Sequence, residues 1–364
     1  MLNHRFHKLV NCIQCSFVNH ILSERSNEWY SWVHANCLNH SVLIAQHLSL
    51  DPTPIPITLN YLKSCFGGYS VTSSNEEQKN VDIQDLMNSI RYFDQYDESK
   101  GCIRKIMIGY PTSNFSNLYE EIAFIWILWM EQDQFPIQFQ KFTLLEDDWQ
   151  YYSLFEETFN SRIQALKKAM DQEMSDIQEM VYFIVRDMGL RGIQTCLRMR
   201  KTVGSIRYLI PTHSDLIHAF SCQTMSGGSG AGGGLTVGAR ALAKHCHRSE
   251  TDKWWGGSNI LKGNAQEKNN KALSILSKIL EEATFINCHI LPHNVPCIEV
   301  RNYQGYGSRW VYQRRRRHQN VHTHHEHSAT PITTTLDYED NNQIIFRGFL
   351  EPYQINGHES GWKH

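Results

Sequence analysis

The chain has almost no excess of charge of either sign, which argues against a surface devoted to nucleic acid. Its 364 residues include 35 lysines and arginines against 37 aspartates and glutamates, a formal net charge of -2. Proteins whose main surface binds nucleic acid normally show a strongly basic balance. A local basic patch is compatible with these numbers, so binding of nucleic acid stays open as an alternative.

Long apolar runs are absent as well. The longest covers residues 122–130 (IAFIWILWM), and acidic residues flank it on both sides. A helix that crosses a bilayer needs roughly 20 apolar residues. The run therefore predicts a buried helix, and we expect no membrane partner.

The chain also lacks the patterns of an exported protein. Residues 1–12 are partly basic, but no apolar stretch of the kind found in signal peptides follows them. The ten cysteines are scattered, without the paired spacing of disulfide-rich secreted domains. We expect reduced thiols and a cytoplasmic location, with the nucleus as the alternative.

Two strong motifs for cofactors are missing, and we expect no cofactor. There is no His-Glu-x-x-His motif and no Gly-Lys-Ser/Thr triplet. The glycine-rich residues 226–234 follow a predicted helix rather than a strand, so they are interpreted as a flexible insertion. Four residues have a spacing that a zinc site tolerates, but two of them lie in a helical apolar stripe, which favours buried thiols: Cys12, Cys15, His34 and Cys37.

Helical periodicity dominates residues 1–203. Leu9, Ile13, Phe17 and Ile21 recur at a helical step. A long helix is predicted to begin at Trp149, with Asp147 as its cap, and further helical stripes reach Gly189. We interpret residues 1–203 as a mainly helical domain, whose surface could contact a protein partner.

The sequence pattern changes after residue 203, and residues 204–364 indicate an α+β domain with a small, mostly antiparallel sheet. Helices are predicted from Thr212 or Ser214, over 237–247 and over 267–282; strands are predicted over 285–291, 297–303, 310–312 and 344–350. In CIEVRNY, Glu299 and Arg301 alternate with apolar residues, as in a half-buried strand. The predicted fold class is thus α+β overall.

A second flexible insertion is predicted at residues 314–342, which carry four consecutive arginines and a histidine-rich tract. Such a composition cannot supply a packed core. The tract could bind nucleic acid, an import receptor or a metal, and a solvated loop is the simpler interpretation.

Candidate site residues concentrate in three segments of this domain. At the end of the helix over 237–247, Lys244, His245, His247 and Arg248 could bind an anion, although cations there also complement the helix dipole. After a Gly-x-Gly turn, Arg309 next to Trp310 could clamp a phosphate or carboxylate, and the alternative is a turn with Arg309 stacked on an aromatic ring.

The third segment is the aromatic-rich stretch 346–364, which we expect to fold back onto the domain. It supplies a carboxylate, imidazoles and an arginine. The candidate catalytic residues are His247, His358 and Glu351. The candidate ligand-binding residues are Lys244, His245, Arg248, Arg309, Trp310, Arg347, Trp362 and His364.

Three blocks of this domain, LTVGARALAKHCHR, GYGSRW and FRGFLEP with GHESGWKH, resemble those of a widespread family of eukaryotic proteins to which no activity is attached. The resemblance implies that the blocks belong to one domain, and it identifies no catalytic residue.

Three functional hypotheses follow. The first is a domain that binds an anionic small molecule or nucleotide. The second is a hydrolase or transferase that acts on a phosphorylated substrate through His/Glu acid–base chemistry. The third is a scaffold without catalytic activity.

Overall fold

The computed structural model describes residues 1–24, 82–115, 117–142, 147–223, 234–247, 254–313 and 343–353. Its helices are α1 (Leu2–Glu24), α2 (Ile83–Asn88), α3 (Leu118–Gln132), α4 (Trp149–Asp171), α5 (Ile177–Cys196), α6 (His213–Ser221), α7 (Val237–His245) and α8 (Ala265–Glu281), with a 3-10 turn at Gly257–Leu261 before α8. Its strands are β1 (Tyr92–Asp97), β2 (Cys102–Met107), β3 (Ala283–Leu291), β4 (Val295–Asn302), β5 (Gly307–Gln313) and β6 (Gln343–Leu350). The predicted α+β class is confirmed.

Helices α1, α3 and α5 form the centre of the N-terminal half. Helix α3 contains the apolar run and is buried along most of its length, with Trp126 and Trp129 fully enclosed. No helix among the described residues is long and apolar enough to span a bilayer. The prediction of a buried helix at this position is confirmed.

Two features of this half differ from the predictions. A hairpin, β1–β2, stands in a region interpreted as helical, and its Tyr96 and Ile103 face solvent. Helix α4 does begin at Trp149, but the side chain of Asp148 accepts the capping hydrogen bond from the Tyr151 amide. Asp147 instead pairs with the buried guanidinium of Arg200.

The four strands β3-β4-β5-β6 form an antiparallel sheet in chain order. The predicted positions of all four strands are confirmed, with ends that differ by a few residues. One face carries Ile298, Val300 and Trp310, and α6, α7 and α8 contact the strands of this sheet. Burying that apolar face against helices supplies the main stabilisation of this half.

A single hydrophobic cluster contains residues from both halves of the chain, from Phe6 to Phe349. The division into domains at residues 203 and 204 therefore stays a prediction.

Gly238 in α7 lies against the buried ring of Phe220 in α6. A Cβ built on Gly238 would lie 2.1 Å from Cζ of that ring. We expect Gly238→Ala to lower the free energy of unfolding by about 1–3 kcal/mol through overpacking, although alanine favours an isolated helix by about 1 kcal/mol.

Urea denaturation of the full chain measures this effect. Ser274→Ala on the exposed side of α8 is the control and should leave stability unchanged or slightly raised. A Gly238→Ala variant as stable as the wild type would show that the two helices do not pack this closely.

Candidate functional site

The sheet face opposite to the apolar one carries a group of polar side chains. In the register of the strands, Glu299 stands between Asn287 on β3 and Arg309 on β5, and Cys297 stands opposite His289. Tyr353, just beyond β6, reaches the same face through a hydrogen bond to Glu299. We call the following residues the Glu299 cluster: His289, Cys297, Glu299, Arg301, Arg309 and Tyr353.

Glu299 is the centre of this cluster, and both of its carboxylate oxygens are used. Its Oε1 accepts hydrogen bonds from Arg301 Nε (2.5 Å) and from the Tyr353 hydroxyl (2.8 Å). Its Oε2 accepts from Arg309 Nη2 (2.8 Å) and lies 3.3 Å from His289 Nε2. The carboxylate is therefore well placed to hold three cationic groups in fixed positions.

The expected exposure of Glu299 and Arg301 is wrong. Both are 1% exposed, rather than on the wet side of a half-buried strand. Charged side chains are buried to this extent only when they are paired and hydrogen-bonded. Here each supplies the partner that permits burial of the other.

The charges of the cluster do not balance. Burial alone would raise the pKa of Glu299, but Arg301, His289 and Arg309 outweigh burial and hold that pKa well below its usual range. Burial opposes protonation of His289, but hydrogen bonds to Cys297 and Glu299 outweigh it and raise the pKa of His289 to about 9. The carboxylate of Glu299 thus faces two guanidiniums, those of Arg301 and Arg309, with His289 beside it, and this surplus of positive charge favours binding of an anion.

Three members of the cluster are partly exposed. The side chain of His289 is 27% exposed, that of Arg309 is 16% exposed, and Tyr353 is half-buried. Gly348 stands opposite Arg309 in the register of β6, and a Cβ built there would meet no atom within 4 Å. As far as the described residues go, the space beside Arg309 is therefore open to a ligand.

Residues 351–353 hold the buried arginine in place. Arg301 Nη1 donates to the carbonyl oxygens of Gly305 and Glu351, at 2.6 Å each. The ring of Tyr353 lies over the Arg301 guanidinium, 4.0 Å from its centroid, a favourable cation–π contact. Burial and the charge of Glu299 raise the pKa of Tyr353 to about 12, so its hydroxyl remains a donor.

A second polar group lies next to this segment. The side chain of Glu351 accepts a hydrogen bond from Trp255 Nε1 (2.8 Å), and the same oxygen lies 3.5 Å from His245 Nδ1. His245 is 8% exposed, packs against Trp255 and Phe349, and its Nδ1 has no hydrogen-bond partner among the residues that the structure describes. The structure thus brings two predicted site residues together, Glu351 and His245.

Four other predicted site residues are either exposed or part of the core. Lys244 and Arg347 are exposed on α7 and β6, and His247 is exposed just after α7. Trp310 is fully buried, and its Nε1 donates to the carbonyl of Leu216, so its ring is part of the core rather than of a ligand-facing surface. Arg309 pairs with Glu299 instead of stacking on an aromatic ring.

Several predictions fall outside the described residues. These are the roles of Arg248, His358, Trp362 and His364, the insertions at 226–233 and 314–342, and the zinc ligands His34 and Cys37. Cys12 is described: burial and the nearby Cys15 raise the pKa of its thiol to about 11, which disfavours the thiolate that zinc requires. In the described part of the chain, no group of three or more His, Cys, Asp or Glu side chains is arranged so that it could hold a metal ion.

Of the Glu299 cluster, the sequence interpretation named only Arg309 as a site residue and missed the other five: His289, Cys297, Glu299, Arg301 and Tyr353. A signal for the first four was present, because Cys297, Glu299 and Arg301 share one face of β4. Pairing β4 with β3 across a short turn places His289 opposite Cys297. For Tyr353, which reaches the site from beyond β6, no comparable pattern exists.

The raised pKa of His289 predicts a pH dependence of stability. A folded-state pKa of about 9, above the ordinary value of 6.5, means that the charged imidazole stabilises the fold. This stabilisation is fully present below pH 6.5 and is lost as the pH rises through 9.

We therefore expect the free energy of unfolding to fall more steeply between pH 6.5 and 9 in the wild type than in His289→Gln. Urea midpoints measured across this interval give the difference. His293→Gln, in the exposed turn after β3, should follow the wild type. Parallel curves for wild type and His289→Gln would contradict the assigned pairing.

Residues 225–317 match the model of a family described as the CdiA C-terminal tRNase toxin domain. The match covers less than half of the chain, and the similarity applies to that stretch alone. It includes His245, His289, Glu299 and Arg309, and it ends before the segment 351–353. No match was found among curated proteins or among solved structures.

Proposed function

We propose that this chain binds RNA and cleaves it, with the Glu299 cluster as the site that holds a backbone phosphate. The observation that carries the proposal is the surplus of positive charge around Glu299, presented to solvent by His289 and Arg309. The similarity of residues 225–317 to a family described as a tRNase toxin domain supports RNA, and tRNA in particular, as the substrate.

Arg309 is assigned to the phosphate oxygens. A guanidinium has five N–H donors, and the bonds to Glu299 use only Nε and Nη2. Nη1 has no hydrogen-bond partner in the described residues and can donate to a phosphate. The negative charge that develops on the phosphate during cleavage is stabilised by the same group.

In the proposed step, the 2′-hydroxyl of the RNA attacks the neighbouring phosphorus and forms a cyclic phosphate, its proton passes to water, and the bond to the 5′ oxygen breaks. His289 is assigned as the proton donor to that leaving 5′ oxygen. Its pKa of about 9 keeps it protonated at neutral pH, when both ring nitrogens carry a hydrogen. Nε2 is held by Glu299 and Cys297, at 3.3 and 3.4 Å. The proton on Nδ1 is then the one available for transfer, and Glu299 keeps the ring in position.

Further phosphates of an extended substrate would be bound by exposed basic groups of the same half. Lys244, His247 and Arg347 are exposed and belong to or follow elements next to the sheet. Each would add affinity without selecting a sequence, since backbone phosphates are the same at every position.

A second candidate function is binding of RNA or a nucleotide without cleavage. The observation that favours it is that both carboxylate oxygens of Glu299 already accept hydrogen bonds. Because its pKa is also held low, this carboxylate is a poor general base. In that case the cluster holds a phosphate and performs no chemistry.

Incubating the purified full chain with tRNA and with single-stranded DNA of equal length distinguishes the candidates. The proposal expects shortened tRNA and intact DNA, whereas the second candidate expects intact tRNA in a complex. A preparation that neither binds nor cleaves tRNA would contradict both.

Arg309→Gln tests the location of the phosphate contact. We expect weaker tRNA binding and a slope of log affinity against log salt that is smaller by about one unit. Arg186→Gln, on the exposed surface of α5, is the matched control and should bind as the wild type does. Equal salt slopes for all three proteins would place the phosphate elsewhere.

A further inference from the structure

We propose that a group of basic and aromatic side chains, separate from the Glu299 cluster, binds phosphates of the same RNA that lie beyond the cleaved bond. This inference rests on the proposed function and names the surface that binds the rest of its substrate. We call the following residues the Arg191 group: Tyr151, Arg191, Lys201 and Arg207. All four precede residues 225–317, so the similarity to the tRNase toxin domain does not cover them.

The backbone around Arg207 is fixed against helix α5. Gln194 Nε2 donates hydrogen bonds to the carbonyl oxygens of Ile206 (3.2 Å) and Tyr208 (2.6 Å), the two chain neighbours of Arg207. Arg191 precedes Gln194 by three residues on α5, and residues at this spacing lie on the same side of a helix. The two arginines are therefore neighbours in the structure.

Tyr151, in the first turn of α4, lies close to both Lys201 and Arg191. Its hydroxyl lies 3.1 Å from Thr195 Oγ1, which donates to the carbonyl oxygen of Arg191 at 2.9 Å. Lys201 Nζ lies 4.2 Å from the centroid of the Tyr151 ring, a cation–π contact, and pairs with Asp148 at 2.6 Å. A partly exposed tyrosine ring is thus placed beside two cations.

The guanidinium of Arg191 has no counter-charge among the described residues. Arg191 is half-buried, and no hydrogen bond or ion pair within the described ranges reaches its guanidinium. Burial lowers the pKa of Arg191; Tyr151 opposes this shift, and the like charge of Arg207 adds to it. Because an arginine remains charged in proteins, a phosphate oxygen would supply the acceptor that this guanidinium lacks.

The Arg191 group is connected to the edge of the sheet at which the proposed proton donor lies. Ser205 pairs with His289 in an antiparallel bridge, and the amide of Ile206 donates to a carbonyl oxygen of β3 at 2.9 Å. The segment that leads to Arg207 thus extends the sheet beyond β3. An RNA strand held at His289 can continue across this edge toward Arg207 and Arg191.

Basic groups interleaved with an aromatic ring favour RNA over an acidic protein as the ligand. Proteins bind single-stranded nucleic acid with cations that follow the backbone and with aromatic side chains on which bases stack. RNA repeats its phosphates along the chain, so one molecule can contact both the Arg191 group and the Glu299 cluster. The Arg191 group therefore increases the affinity for long RNA without selecting a sequence.

Salt-dependent binding of tRNA, made uncleavable by 2′-O-methyl groups, to the full chain tests this inference. We expect Arg191→Gln to bind about tenfold more weakly, with a slope of log affinity against log salt that is smaller by about one unit. Arg191→Lys keeps the charge and should keep most of the slope. Arg186→Gln, exposed on the same helix, is the control and should bind as the wild type does.

Combining Arg191→Gln with Arg309→Gln shows whether one RNA contacts both places, since the slope should then fall by about two units. Unchanged affinity and slope in Arg191→Gln, with weaker binding by Arg309→Gln, would overturn this inference and leave the proposed function standing. The reverse pattern would overturn the proposed function, because the RNA would be bound away from the Glu299 cluster. If Arg191→Gln lost binding of polyglutamate and kept that of tRNA, the group would bind an acidic protein, which also overturns the inference.

Discussion

Replacing Glu299 with alanine is expected to lower the free energy of unfolding by about 3–5 kcal/mol, the cost of removing one partner of a buried ion pair. Arg301 is 1% exposed, and within the described ranges it would keep the carbonyl oxygens of Gly305 and Glu351 and the ring of Tyr353 but no carboxylate partner. Arg309 and His289 would then repel Arg301 without a carboxylate between them. The three positive groups can no longer be held together.

Urea or thermal denaturation of the full chain measures this loss. Glu157→Ala, which removes an exposed carboxylate from α4, is the matched control and should change stability by less than about 0.5 kcal/mol. If Glu299→Ala were as stable as the control, the carboxylate would not be the centre of a buried charge cluster.

Replacing His289 with alanine is expected to slow cleavage of tRNA by about 10²- to 10⁴-fold, the usual contribution of a positioned general acid. Binding should fall much less, because Arg309 and the exposed basic groups still contact phosphates. The loss should therefore be seen in the rate at saturating enzyme rather than in the affinity. Single-turnover kinetics with labelled tRNA separate the two quantities.

His293→Ala is the control, because His293 lies in the turn that follows the same strand and its side chain is exposed. It should cleave at the wild-type rate. A His289→Ala variant with an unchanged single-turnover rate would remove His289 from the reaction and favour binding without cleavage.

Much of the fold was predictable because the elements are periodic. Alternation of polar and apolar residues predicts strand β4, and an unbroken apolar run predicts helix α3. The hairpin β1–β2 was missed because its solvent-facing side carries Tyr96 and Ile103. With apolar residues on the exposed face, the alternation of polar and apolar residues that predicts a strand is lost.

The site was only partly predictable, because its burial depends on residues far apart in the chain. Alternation assigned Glu299 and Arg301 to a wet face, and the pairing that buries them comes from His289, Arg309 and Tyr353 on three other segments. Trp310 was interpreted as facing a ligand, but its register on β5 turns it toward α6. The residue pattern of one β-strand does not predict its contacts with distant segments of the chain.

An NMR titration tests most directly whether His289 contacts the bound phosphate. The imidazole signals of the full chain are followed while a tRNA stem-loop, made uncleavable by 2′-O-methyl groups, is added. The account predicts that the His289 signals shift in proportion to bound RNA, that the pKa of His289 rises above 9 beside the phosphate, and that His293 is unaffected. RNA binding that leaves the His289 signals unchanged while other histidines respond would contradict it.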